Sequence, residues 1–491
     1  LNLGLRYDLY PGFEDAELNI TNFLRDTPNG DAVVPNEASR QIAQPAFTSG
    51  LGTSRILTAA EAGLPETLRV TDKNNFAPRI GVAWRPFDDN RTVVRAGWGI
   101  YYTRFLGAIF NSLTGIHTSD NQTFGNSYDA AARIHAIVLP NTFAGAAGRG
   151  TSAVGNQNFS TANDPYLKDP QTHQWSVSVD REIGRRNAFR FTYSGRRDRN
   201  LTLAPDLNQL QPNTVGFVNL PRTARPYPNW NRVNTRDGGG EADYHDLTFQ
   251  LRGEAVEGLH YSATYKWSHA ISNIEQATNK PNFVEEINDR TDNRFDPGYT
   301  RGPVTAIPDH RFTATLLWEM PFFKGKAVLG GWTLSSIVTA QSGFHLTATY
   351  GSHCGSGTNC YTREKADAVA GQDPNSGPHT VQQWFNTGAF TDRAFFNAAG
   401  RPIFAGRFGN AEKGSILGPG LYTIDLGLFK EFKLSSEVGL KLSVQAQNVT
   451  NHPNYGLPET NLTSPNYGRI TTLQPGVLGS RIVVIGARLQ F

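Results

Sequence analysis

Six groups of residues in this chain of 491 are of types that do chemistry. Gly145-Ala-Ala-Gly148-Arg-Gly150 is glycine-rich, as a phosphate-cradling loop must be. It has no following Lys-Ser/Thr and no helical pattern after it, so it lacks the lysine and the helix N-terminus that hold a phosphate. His310 stands between Asp309 and Arg311, a trio able to exchange protons. It also opens an alternating stretch, and a strand start at a rim is the simpler reading. Glu285, Glu286, Asp289, Asp292 and Asp296 gather carboxylates in one segment. Oxygen ligands suit Ca²⁺, but no glycine-centred loop frames them. Asp289, Asp292 and Asp296 are therefore weak candidates beside ordinary solvated charge, and no metal is expected.

The other three groups are structural or recognitive. Cys354 and Cys360 enclose Gly-Ser-Gly-Thr-Asn, a flexible spacer suited to a small loop. A local disulfide in an oxidising compartment is expected. Two sulfurs are too few for a structural zinc site. Arg6, Arg79, Arg95, Arg190 and Arg252 occupy the polar phase of alternating stretches. There they would guide an anionic substrate or, the preferred reading, pair with carboxylates on another domain. Tyr227, Trp230, Trp384, Phe385 and Phe390 stand in segments rich in Pro, Asn and Gly. Aromatics on loops fit ligand or sugar capture, and fit equally the packing of loops on each other. No catalytic constellation results, so neither enzymatic activity nor a cofactor is expected.

The elements that must position these groups are strands. Gly (49) and Pro (28) are abundant, which breaks helices repeatedly. The 29 Phe, 17 Tyr and 8 Trp argue against disorder. No apolar run approaches the roughly 18 residues of a spanning helix. Net charge is +3 without a basic or acidic block, so nothing favours a nucleic-acid partner. The single methionine, Met320, leaves Leu1 as no translation start, and a processed or partial chain is expected.

Apolar residues recur at every second position in twelve stretches, beginning with Leu1, Leu3, Leu5, Tyr7 and Leu9 and ending with Val483, Ile485, Ala487, Leu489 and Phe491. That period is a strand with one apolar and one polar face. The connections alternate between long (11–74, 103–171, 196–243, 268–309, 342–420, 452–479) and short (86–91, 182–187, 253–259, 320–330, 433–438). Outer-membrane barrels have such alternation, with short periplasmic turns and long outer loops. Trp84, Trp98, Trp175, Trp267, Trp318 and Trp332 fall on apolar faces near strand ends, where interfacial girdles lie. The expected fold is thus all-β, a transmembrane antiparallel barrel with its apolar face turned outward. A soluble sandwich fits poorly, because loops of this length are uncommon in compact domains.

Asn75-Phe76-Ala77-Pro78-Arg79-Ile80-Gly81-Val82-Ala83-Trp84 resembles the barrel signature of TonB-dependent outer-membrane receptors, with closest likeness to the Oar-like branch. Gln174–Val179, Gly258–Ser268, Asp309–Phe312, Trp384–Phe390, Phe408–Ala411, Gly418–Gly420, Asn448–Pro453 and the terminal Phe491 also match, in order over nearly the whole chain. The resemblance implies a 22-stranded barrel filled by an N-terminal plug and energised by the TonB complex. Residues 1–491 would be its C-terminal portion, with the plug and first strands absent from this chain. The implied function is uptake of a scarce or large ligand, its identity unknown. The alternative is a surface adhesin or protein-export receptor that binds partners through its outer loops. The implied partners are outer-membrane lipid and lipopolysaccharide, a plug in cis, the TonB complex and the barrel-assembly machinery, with Leu489 and Phe491 as the assembly signal.

Overall fold

The structure, a computed structural model, describes residues 1–491 apart from 106–109, 111–112, 119–127, 130–133, 136–153, 155–156, 275–290, 324, 352, 361–363 and 478. Among the described residues, one antiparallel sheet runs from end to end of the chain. Its strands are β1 (Asn2–Tyr7), β2 (Phe76–Trp84), β3 (Thr92–Tyr102), β4 (Gln171–Ile183), β5 (Asn187–Leu203), β6 (Val233–Glu254), β7 (Leu259–Ser272), β8 (His310–Glu319), β9 (Trp332–Gln341), β10 (Leu421–Lys433), β11 (Gly439–Gln447) and β12 (Ile482–Gln490). Each bonds to the next without a crossover, and β1 and β12 are the two edges. Two short strands, Phe159–Asn163 and Gly302–Pro303, join β6 and β7 from the side. Every alternating stretch of the sequence is one of these strands, because large apolar groups at every second position cover one pleated face.

A meander of this kind places successive connections at opposite ends. The connections 85–91, 184–186, 255–258, 320–331 and 434–438 therefore share one end of the sheet. The long ones share the other. Two strands differ from expectation. β5 continues to Leu203 and β6 begins at Val233, well inside the segment read as a connection. Crossing a bilayer takes about 9–11 residues, so the excess projects beyond the outer boundary. Arg-Arg-Asp-Arg-Asn at 196–200 and Arg-Asp-Gly-Gly-Gly at 236–240 show no apolar alternation, because this part of the ribbon meets the outer loops instead of lipid, and Val233, Thr235, Arg236 and Asp198 are buried there. Ion pairs across the ribbon, such as Arg197–Asp243 at 3.0 Å, occupy it instead.

Register decides the faces. Leu3 lies opposite Ile80, Ile80 opposite Trp98, and Trp98 opposite Trp175. Further along, Phe191, Phe249, Tyr265 and Phe312 form a row, as do Leu334, Leu428, Val444 and Ile485. The opposite phase gives the row Arg95, Ser178, Thr192, Thr248, Lys266, Arg311 and Gln341. One face of the wall is thus continuously apolar and the other largely polar. Leu317, Ile337, Ile482 and Val484 are exceptions, exposed apolar groups on the polar phase.

The apolar face is bare: Leu3 is 72% exposed, Trp84 60% and Ile485 80%. The buried apolar clusters lie elsewhere, in the long connections. One joins Phe23, Phe47, Phe159, Leu207, Trp230 and Val233. Another joins Leu346, Tyr350, Phe385, Phe395 and Ile416. A soluble protein buries the faces of its sheet and exposes its loops. Here the arrangement is reversed, and an apolar band of this extent needs an apolar solvent. On β7, Leu259 lies level with Trp318 and Trp267 stands eight positions further on. That is about 27 Å along a strand, or about 20 Å at a tilt of roughly 40°, close to the ~25 Å apolar band of outer-membrane barrels.

Candidate functional site

The polar face carries its charges in compensated groups. The strands set Asp180 of β4 opposite Arg190 of β5, and Arg95 of β3 opposite Ser178. Asp180 consequently takes ion pairs from both Arg95 and Arg190, at 2.5 Å to the latter. Arg6 donates to Asp8 at 2.6 Å. The carboxylates sought on another domain are thus, for these three arginines, on the wall itself. Spacing of two along one strand, or direct opposition across two, is enough to bring them together. Arg79 lies with its guanidinium 4.4 Å from the ring of Tyr101. Arg252 is at the other end of the wall, beside Arg186 and Glu254 near the short turns. The five arginines do not form one site.

A cavity of about 610 Å³ opens on the polar face toward its outer end. Gln174, Arg196, Tyr244, Lys266 and Arg311 come from β4 to β8, and residues 304–308 form a largely apolar roof. Lys266 donates to the Tyr244 hydroxyl at 3.2 Å and stands 4.0 Å from Asp246. Arg196 is held by Asp198 at 2.8 Å. Arg311, which is exposed, has no carboxylate partner among the described residues. The cavity therefore offers an apolar roof, a tyrosine hydroxyl, the carboxylates of Asp198, Asp243 and Asp246, and a cation with no carboxylate partner among the described residues, a combination suited to holding a ligand. Sequence reasoning missed Lys266, Tyr244 and Arg196 as a group, since only the register of three strands places them side by side.

His310 begins β8, and its Nδ1 lies 2.8 Å from the Tyr265 hydroxyl with the two rings stacked. Asp309 turns instead to His345, 3.0 Å away. The trio is thus divided between two partners. Asp296 caps a short 3₁₀ turn by accepting from the Gly298 amide at 2.9 Å. Asp292 is buried, with its backbone carbonyl bonded to Gln209. Asp289, Glu285, Glu286 and the Gly145–Gly150 segment lie outside the described residues. Among the described residues no group of three or more His, Cys, Asp and Glu is placed to hold a metal ion.

The loop aromatics require a correction. Trp230 is fully buried, its indole N–H donating to the Gly30 carbonyl at 2.9 Å and its ring edge-on to Phe23. Phe385 and Phe390 are also buried, in a second core with Tyr467. These three are not surface contacts for a ligand. Long connections hold enough apolar groups to collapse on each other, and composition does not say which aromatics go inside. Tyr227 and Trp384 stay half-exposed, each in a different core, with Trp384 donating to the Leu417 carbonyl at 2.9 Å. Cys354 and Cys360 are joined by a disulfide with Cα atoms 5.6 Å apart. Its loop is fastened from within by Glu364, which accepts from the Tyr350 hydroxyl and from the amide and hydroxyl of Ser356.

The exposed apolar band, the polar inner face and the folded outer loops together describe a wall that stands in a lipid bilayer. A sequence model of the outer membrane beta barrel domain family matches residues 1–483. The chain belongs to that family. This outer membrane beta-barrel domain is accordingly placed in the outer membrane, its short turns toward the periplasm and its long loops outside. No curated protein matches the domain in sequence. Among solved structures it is similar to the outer membrane transporter YddB from Escherichia coli, at 10% identity and a TM-score of 0.44, over 86% of this chain and 41% of that one. It is similar also to the siderophore receptor PiuA from Acinetobacter baumannii, at 10% identity and a TM-score of 0.37, over 86% and 37%. The pyoverdine receptor FpvA from Pseudomonas aeruginosa aligns at 11% identity and a TM-score of 0.38, again over 86% and 37%. The domain thus spans less than half the length of each of these proteins.

Proposed function

We propose that the domain forms part of the wall and outer cap of a receptor that captures a scarce or large ligand and passes it inward, energised by the TonB complex. The observation that carries this reading is the cavity at the outer mouth of the polar face, roofed by 304–308 and bearing Arg311. A ligand arriving past the loops meets this cavity before the rest of the inner wall. In the same reading a plug in cis and further strands complete the barrel. The unpaired edges of β1 and β12 suit this, because the two are not bonded to each other. Leu489 and Phe491 serve as the assembly signal, and Tyr227 and Trp384 as the loop aromatics that still reach a ligand. The Oar-like branch remains our assignment within the receptors.

The experiment uses the full-length protein purified from its native outer membrane. Small molecules that copurify are identified by mass spectrometry, and their uptake by intact cells is followed with and without a proton-motive force. Uptake that needs both the protein and the force, and that falls on Arg311→Ala, supports the proposal. Ligand retention without uptake would favour the adhesin or export role of the loops and overturn transport.

A further inference from the structure

The five short turns differ in one respect that hairpin closure does not explain. Hairpins close with two to five residues. Residues 320–331, between β8 and β9, make a twelve-residue connection where 85–91, 184–186, 255–258 and 434–438 have seven, three, four and five. Hydrogen bonds hold the described residues of this connection together. The Lys326 amide donates to the Phe323 carbonyl at 3.0 Å, the Gly330 amide to the Lys326 carbonyl at 2.9 Å, and the Met320 amide to the Trp332 carbonyl at 2.9 Å. Gly330 has no room for a side chain, since a Cβ there would stand 2.2 Å from the Phe323 carbonyl oxygen. Lys430 of β10 donates to the Gly330 carbonyl and fixes the turn to the neighbouring hairpin.

This fold leaves its apolar groups outside. Phe322, Phe323, Val328 and Leu329 are between 53% and 65% exposed. The turn also leans to one side of the wall. Phe322 packs edge-on against Trp318 at 5.5 Å, and the Trp332 indole donates to the Val328 carbonyl at 3.0 Å. Trp318 and Trp332 share the apolar phase with Leu334, so both contacts draw the turn toward the lipid side and away from the polar face. Lys326 stands exposed within the same turn.

We propose that residues 320–331 form an interfacial foot, seated in the phospholipid headgroup layer of the periplasmic leaflet. Its apolar side chains enter the acyl boundary and Lys326 meets lipid phosphate. The occupant is assigned from the continuity of these groups with the lipid-facing band and from the charge of Lys326 against an anionic headgroup. Amphipathic segments with this composition bind such a surface by apolar area and charge together.

The test is depth measurement by spin labelling on the full-length protein in vesicles of phosphatidylethanolamine and phosphatidylglycerol. A nitroxide is attached at Leu329→Cys, with Asp88→Cys in the turn 85–91 as the aqueous reference; the native cysteines are engaged in their disulfide. The Leu329 label should collide several-fold more with oxygen, relative to a water-soluble nickel complex, than the Asp88 label does. Lys326→Glu should reduce that ratio in vesicles with phosphatidylglycerol and change it less in phosphatidylcholine alone. Equal nickel access at the two positions would overturn the proposal. So would a short label-to-label distance between molecules, which would make a second copy the occupant. Phe322→Ser, read by the same label, keeps the test decisive should Lys326→Glu fail to fold: loss of depth supports the foot, and unchanged depth counts against it.

Discussion

Glu364 shows how much one residue in the cap is asked to do. It is 1% exposed and accepts from Tyr350 and twice from Ser356, while burial outweighs those bonds and holds its carboxyl above the usual range. The linkage has a definite sign. A carboxyl raised in the folded state contributes stability that is complete below its ordinary value and is lost as pH rises through the raised one. Residues 346–368 should therefore be better protected against hydrogen exchange in mild acid than at neutral pH, after correction for intrinsic rates. Glu364→Gln should flatten that difference, and an unchanged difference in the variant would count against this account. Lys365, next in sequence, is lowered to about 8 by burial, so its contribution changes at alkaline pH, in a separate window. Reduction of Cys354–Cys360 acts on the same loop. Closing a loop this short is worth about 2 kcal/mol, so Cys354→Ser with Cys360→Ser should raise protease cleavage within 342–420 while leaving the wall's resistance to heating in detergent unchanged. Trp230→Ala, in the other core, should cost about 3–5 kcal/mol of cap stability, read as a lower unfolding midpoint of the loops.

At the scale of the strand, adjacent residues meet different solvents. Leu442 belongs to the apolar phase, opposite Lys430 and Ala487, whereas Lys441 lies opposite Glu431 and Arg488 on the polar face. An arginine on the lipid side costs about 2–4 kcal/mol near the midplane and about 0–1 kcal/mol near the interface, and Leu442, the fourth residue of β11 from the short turn, stands between the two. Leu442→Arg should therefore impair refolding of the full-length protein into vesicles more than Lys441→Leu does. Equal effects, or the reverse order, would refute the assignment of the faces. Lys430 is a cation on the apolar phase, and its position explains it. It lies beside the turn 320–331, where its ammonium reaches the Gly330 carbonyl instead of lipid.

Across the whole molecule, the wall and the cap depend on different contacts, and a few buried polar groups join the loops to each other. Asp206 is 1% exposed and accepts from the amides of Asn208 and Val233, both at 2.9 Å, and from the Asn359 side chain. It thereby ties the connection after β5 to the disulfide loop. Asp206→Ala would leave those donors buried and unmet, at about 1–3 kcal/mol for each group. Exchange should rise in 204–232 and 354–360 together; a rise in only the first would show that the loops are not coupled through this residue. The sequence by itself determined where the membrane-crossing strands lie and their apolar phase, because a period of two is a local property that lipid favours along each crossing, whereas the extensions of β5 and β6 beyond the bilayer carry no such period. It also pointed to the cysteine pair, since the Gly-Ser-Gly-Thr-Asn spacer lets the chain turn back on itself. Only the tertiary structure decided that Trp230 and Phe385 are core and Trp384 is half-exposed, that Asp180 serves two arginines, and that Lys266, Tyr244 and Arg311 share a cavity. Those facts depend on which strands are neighbours and in what register, and on how the long loops collapse on each other. Such contacts are made between residues tens to hundreds of positions apart, and no local pattern carries them.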